Sequence, residues 1–132
     1  MNKVKQVFEF EQVGDVLIVV ANGPFMEFRD IDIRNAYNEA YRRLSEPDTR
    51  HLLIDFSHLD YFGSTFVGIL IRLARKVRTN SGEAALCCLS SGMREMLKTL
   101  MLLENPNVDF SVVPYATRNE ALKALTAKSA EG

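Results

Sequence analysis

The sequence has almost no net charge: 16 Lys and Arg stand against 17 Asp and Glu, a formal balance of −1. So even a balance leaves no global field to attract nucleic acid or insert the chain into an anionic membrane surface. No apolar run approaches the roughly 20 residues that a membrane-spanning helix needs. Met1-Asn2-Lys3-Val4-Lys5-Gln6 lacks the apolar core of a signal peptide. Cysteine is confined to one adjacent pair, Cys87-Cys88. Neighbours on a strand point to opposite faces, so no mutual disulfide is expected, and the pair reads as two small hydrophobes in a reduced, cytoplasmic compartment. His51 and His58 are the only histidines, and neither has a partner at a metal-binding spacing. No Gly-x-Ser-x-Gly elbow surrounds Ser64, and no Walker or Rossmann glycine pattern is present. With no active site assembled, the chain is read as a non-enzyme that needs no cofactor and no metal.

What is there suffices for one domain. The 132 residues are 47% apolar, enough for a core without staples. Repeats, low-complexity tracts and inter-domain linkers are absent from the sequence.

The chain opens as a hairpin. Val7 to Glu11 alternates at period two, Gly14-Asp15 supplies a turn, and Val16 to Val20 is β-branched and apolar. After the break at Asn22-Gly23-Pro24, helical spacing runs from Ile31 to Leu44, with Ile33, Tyr37, Ala40, Tyr41 and Leu44 on one stripe. Leu52 to Phe56 is continuously apolar except for Asp55, which predicts a central strand buried on both faces. The next helix follows Ser64, with Phe66, Leu70, Leu73, Ala74 and Val77 inward and Arg72, Arg75, Lys76 and Arg78 on a solvated face. Ala84 to Leu89 predicts a third buried strand. Ser90-Ser91-Gly92 starts a helix with Met93, Met96, Leu97, Leu100 and Met101 inward, and Val108 to Val113 predicts a last strand closed by Pro114. Thr117-Arg118-Asn119-Glu120 is a capping box for a final helix, and residues 126–132 are expected to fray into a flexible tail. The order β-β-α-β-α-β-α-β-α implies a single α/β domain. Its sheet of about five strands is mostly parallel with one antiparallel edge, and about four helices cover it.

The segment that carries function is Tyr61-Phe62-Gly63-Ser64-Thr65-Phe66-Val67-Gly68. It places a hydroxyl pair where a strand hands over to a helix, among unpaired N–H groups and the positive end of the helix dipole. Ser64 reads either as an N-cap alone or as a cap that also accepts phosphate. Phe66 reads as core or as an exposed aromatic anchor. Phe25, Met26 and Phe28 either fold under as a lid or form an apolar patch beside the Ser64 loop. Asp55 and Asp60 are assigned to loop turns.

The element order, together with Leu53-Ile54-Asp55-Phe56, Leu59-Asp60-Tyr61-Phe62-Gly63-Ser64-Thr65, Gly68-Ile69-Leu70, Gly82-Glu83-Ala84, Ser90-Ser91-Gly92-Met93-Arg94 and Asn119-Glu120-Ala121-Leu122, resembles the STAS family of anti-sigma factor antagonists and sulfate-transporter domains. The resemblance implies a bacterial regulatory interaction module. Its phosphoacceptor would be Ser64, with Thr65 as the alternative, and its partner a serine-kinase anti-sigma factor that supplies the ATP. Dephosphorylated, the module would bind that partner and so free a sigma factor for transcription; phosphorylated, it would let go. The implied contact surface is Phe25, Met26, Glu27, Phe62, Gly63, Ser64, Thr65 and Phe66. The family motif commonly runs Asp-Ser-Ser/Thr-Gly; here Gly63 replaces the Asp and Phe66 the Gly. The alternative within the same resemblance is a phosphorylation-independent scaffold or accessory subunit of a signalling or transporter complex.

Overall fold

The computed structural model describes residues 6–105, 107–108 and 112–131. Strands β1 (Phe8–Val13) and β2 (Val16–Asn22) form the expected hairpin, antiparallel from Phe8 opposite Ala21 to Val13 opposite Val16. Gly14 makes the turn at φ 59°, a conformation that costs glycine little. Helix α1 (Asp30–Leu44) then leads to β3 (His51–His58), α2 (Ser64–Thr79) to β4 (Ala84–Cys87), and α3 (Ser91–Thr99) to β5 (Val113–Tyr115), with α4 (Arg118–Glu131) last. A single-turn 3-10 segment (Phe25–Glu27) precedes α1.

The five strands lie in sequence order, and β2 to β5 run parallel. Right-handed crossovers that always step the same way place every crossover helix on one face of the sheet. Side chains obey this. Leu17, Val19, Leu52, Ile54, Phe56, Ala84 and Leu86 share a core with Ile33 and Leu44 of α1, Phe66 and Leu70 of α2, and Met93 and Leu97 of α3. The alternate residues Val16, Ile18, Val20, Leu53, Ala85 and Cys87 point to the other face, against Ala121 and Leu125 of α4. The expected two-sided burial of β3 is therefore met by different helices on each side.

Three expectations are corrected. The last strand includes Pro114 and starts at Val113, with a single bridge from Leu103 to Val112 before it; residues 109–111 of the expected strand lie outside the described residues. Among the described residues β5 pairs only with β4, so it is an edge, where a proline that cannot donate is tolerated. Leu100 and Met101 do not turn inward. α3 ends at Thr99, and these two are 49% and 69% exposed.

The third correction concerns the tail. Residues 126–131 are helical, and Ser129 is tied down: its hydroxyl donates to Asp15 Oδ2 at 2.7 Å and lies 2.8 Å from His51 Nε2. His51 Nδ1 accepts the Glu83 N–H at 3.0 Å. At the other end of α4, Arg118 reaches Asp55 Oδ2 through Nη2 at 2.9 Å and Nε at 3.1 Å, and Glu11 through Nη1 at 2.7 Å. His51 and Asp55 sit four residues apart on one face of β3, about 13 Å. Arg118 and Ser129 sit eleven apart on α4, about 16 Å. The two spans match closely enough for one strand to hold one helix at both ends.

Candidate functional site

Gly63, extended at φ −104°, is the N-cap of α2, so Ser64 is the first helical residue rather than the cap. Its hydroxyl is thereby released from capping. Ser64 and Thr65 are both exposed. Directly beneath them the chain is apolar and closed: Phe62 and Phe66 are each 0% exposed. The Phe66 ring contacts four others, those of Phe62 at 4.7 Å, Phe25 at 5.0 Å, Phe56 at 5.6 Å and Phe8 at 6.0 Å between centroids. Such edge-to-face and tilted pairs add to the area each ring buries.

The loop between β3 and α2 is pinned at several points. Asp55 Oδ1 accepts the Ser57 N–H at 2.8 Å, His58 carbonyl accepts the Gly23 N–H at 3.0 Å, and the Ser90 hydroxyl donates to the Asp60 carbonyl at 3.0 Å. That same Ser90 oxygen caps α3 by accepting the Met93 N–H. A side chain on Gly23 would collide with Leu59 Cδ1 and crowd the His58 carbonyl, so the β2 end and this loop pack as closely as glycine allows. Ser64 is thus an exposed hydroxyl on a fixed platform.

Two depressions flank it. A groove of about 480 Å³ between α1 and α2 is lined by Asp30, Arg34, Tyr37, Ser64, Thr65 and Arg72, among others. A cleft of about 320 Å³ between residues 23–26 and 58–61 is rimmed by Met26 and Tyr61, which are 84% and 63% exposed. The expected contact surface therefore divides. Met26, Glu27, Ser64 and Thr65 are at the surface and Gly63 is half-buried. Phe25, Phe62 and Phe66 are in the core, so their side chains offer nothing for a partner to touch. The Phe25-Met26-Phe28 segment does both things read from it: Phe25 folds under and Met26 stays out. Tyr61 and Arg34 join the surface although the expected contact surface did not include them, and half-buried Tyr37, expected on the inward stripe of α1, lines the groove as well. The one signal was proximity in sequence for Tyr61.

On the opposite face, Asp55 is more than a turn residue. Burial acts to raise its carboxyl, but hydrogen bonds from Ser57 and Arg118 outweigh that and hold it below its ordinary value. Burial depresses the imidazole of His51, with Asp15 opposing and Arg50 assisting. His58 Nδ1 lies 3.1 Å from Asn22 Oδ1, whose amide donates to Glu9 and to the Gln6 carbonyl. Neither histidine is near Ser64 in these bonds, and no nucleophile–base pair forms there among the described residues.

The model of one protein family, the STAS domain, matches residues 7–121. Solved structures share the fold. A STAS-domain anti-sigma-factor antagonist from Planctomyces limnophilus is 23% identical, with 90% of this chain and 97% of that one covered and a TM-score of 0.71. The Bacillus cell fate determinant SpoIIAA in its phosphorylated form is 16% identical over 89% and 97%, with a TM-score of 0.66. A variant of RsbS from Moorella thermoacetica is 15% identical over 92% and 97%, with a TM-score of 0.75. No helix among the described residues is long and apolar enough to cross a membrane.

Proposed function

The chain belongs to the STAS domain family, and on that premise we propose that it is a protein-interaction module of the anti-sigma factor antagonist kind, switched by phosphorylation of Ser64. The partner in this proposal is a serine-kinase anti-sigma factor, which brings the ATP; the chain itself performs no catalysis.

One observation carries the reading: Ser64 is an exposed residue, not a cap, on the first turn of α2. A kinase has access to its oxygen. A phosphate there meets free N–H groups and the positive end of the α2 dipole, so the fold tolerates it. Arg34 and Arg72 line the adjoining groove and add positive charge nearby. The cost falls on the partner. A dianion closed into a dry interface to which the partner brings no counter-charge costs several kcal/mol, and each 1.4 kcal/mol, roughly, is tenfold in affinity. Release then needs no backbone movement.

The two departures from the family motif bear on this differently. Phe66 points wholly into the core and leaves the outer face of the turn as open as a glycine would. Gly63 removes an acidic neighbour that a kinase could read. It favours the second reading, a scaffold or accessory subunit that binds without a switch. A Cβ at Gly63 would meet nothing within 4 Å, so Gly63→Asp restores the acid at a position open to a side chain.

The test uses the cognate kinase from the source genome with ATP, and mass spectrometry of the product. Phosphate on Ser64, with capture of the kinase by wild type and loss of capture by Ser64→Asp, supports the switch. Capture by both proteins, with no phosphate on Ser64 or Thr65 in wild type or Gly63→Asp, supports the scaffold.

A further inference from the structure

The cysteine pair does not behave as alternation along a strand requires. β4 ends at Cys87, and Cys88 turns into the left-handed region at φ 64°. Side chains that would have faced opposite ways now share the α4 face, where both pack against the same apolar cluster. There the two sulfurs and a carboxylate oxygen of Asp55 all lie within 4.8 Å of one another. Cys87 and Asp55 are buried, and half-buried Cys88 gives the cluster its opening to solvent.

The carboxylate is already oriented. Ser57 N–H holds one oxygen at 2.8 Å and Arg118 the other at 2.9 Å. Arg118 donates to its oxygen twice, through Nη2 and Nε, and carboxylates that ligate metals are commonly held by outer hydrogen bonds of this kind. Two sulfurs and one oxygen within a single ion's reach select by softness. Thiolates favour zinc and its heavier relatives, whereas magnesium and calcium want oxygen throughout. As thiolates and carboxylate the three groups carry three negative charges against the one guanidinium of Arg118.

We propose that Cys87, Cys88 and Asp55 form a binding site for one soft divalent cation of the zinc and cadmium class. On binding, each sulfur gives its proton to solvent and donates the freed electron pair to the ion; no oxidant or reductant takes part. The site lies on the face opposite Ser64's groove and is independent of the proposed switch.

The experiment titrates the reduced full chain, free of any affinity tag, with cadmium under exclusion of oxygen. It follows the ultraviolet charge-transfer absorption of cadmium bound to thiolate, then displaces cadmium with zinc. One ion per chain is expected, with the band abolished in Cys88→Ser. Asp55→Asn should bind about tenfold more weakly or worse, the scale seen when supporting groups are removed from metal sites. Circular dichroism checks the fold of each variant. Cys88 is half-buried at a strand end, so its serine variant carries the test even if Asp55→Asn does not fold. No band with equimolar cadmium, or a band of full strength in Cys88→Ser, overturns the site. An affinity unchanged in folded Asp55→Asn overturns the three-ligand assignment.

Discussion

The two faces of β3 are built from alternate residues of one strand and do opposite work. Leu52, Ile54 and Phe56 face the helices α1 to α3 and feed an apolar core of interlocked phenylalanine rings. His51, Leu53 and Asp55 face α4, where packing is thin and two polar ties, to Ser129 and Arg118, hold the helix in place. On the first face polar groups are expelled to the surface, so Ser64 sits exposed on top of the rings. On the second they are drawn inside and bonded. A hydroxyl free to change its chemistry is found where apolar packing alone supports the backbone. Hydroxyls that hold structure, such as that of Ser129, are found where packing does not suffice.

The largest effect should come from cutting the ring cluster. Phe66→Ala is expected to cost about 3–5 kcal/mol, the range for truncating a buried Phe, measured by denaturant titration. Ser64→Asp, two residues away on the same turn, should leave the midpoint unchanged, because it adds its charge in solvent at a helix N-terminus. A comparable loss from both would erase the contrast between surface and floor.

Next comes the polar face. Arg118→Ala leaves the buried Asp55 carboxylate with Ser57 as its remaining donor and should cost about 1–3 kcal/mol. Amide exchange should rise along the first turns of α4 and stay unchanged in α2. Faster exchange in α2 would mean that the two faces are not separate supports.

Acid should act on the same face. The fold depresses the His51 imidazole, so the native state holds fewer protons on it than the unfolded chain does. That contribution to stability is fully present above the ordinary value of 6.5 and declines as pH falls through and below it. The slope is at most about 1.4 kcal/mol per pH unit for one proton. Melting curves from pH 8 to 5 should show the decline in wild type and flatten in His51→Gln. An equal slope in the variant would place the titrating group elsewhere.

The smallest effect sharpens the first face. Gly68 is in the interior of α2 and lines the α1–α2 groove, yet a Cβ there would meet nothing within 4 Å. Gly68→Ala should therefore stabilise the isolated chain by about 0.5–1 kcal/mol. A destabilised variant would show that the groove is tighter than it stands.

The two faces also differ in how far they could be read from the sequence. Periodicity located the three helices of the apolar face and the inward stripe of α2, though not the single turn at Phe25–Glu27, because a buried face of several turns writes itself as spacing. The polar face left little trace. Asp55 interrupts an apolar strand, which signals a buried charge in need of a partner, but the partner is 63 positions away. Ser129 is in a stretch of small polar residues that resembles a frayed end and is helix because His51 and Asp15 hold it. Likewise Cys88 escapes strand alternation through one left-handed residue, a backbone choice that local pattern does not reveal. At the candidate site, Ser64 and its helix start were legible. Phe66 already stood on the inward stripe of α2, whereas the inward turn of Phe25 and Phe62 was decided by ring packing between elements.

The most direct test of the switch compares two preparations of the full chain, unmodified and phosphorylated on Ser64, in binding to the kinase partner and in thermal midpoint. The account predicts an affinity lower by a hundredfold or more, about 3 kcal/mol, with the midpoint unmoved. Equal affinity of the two forms, or a midpoint that falls along with binding, would contradict it.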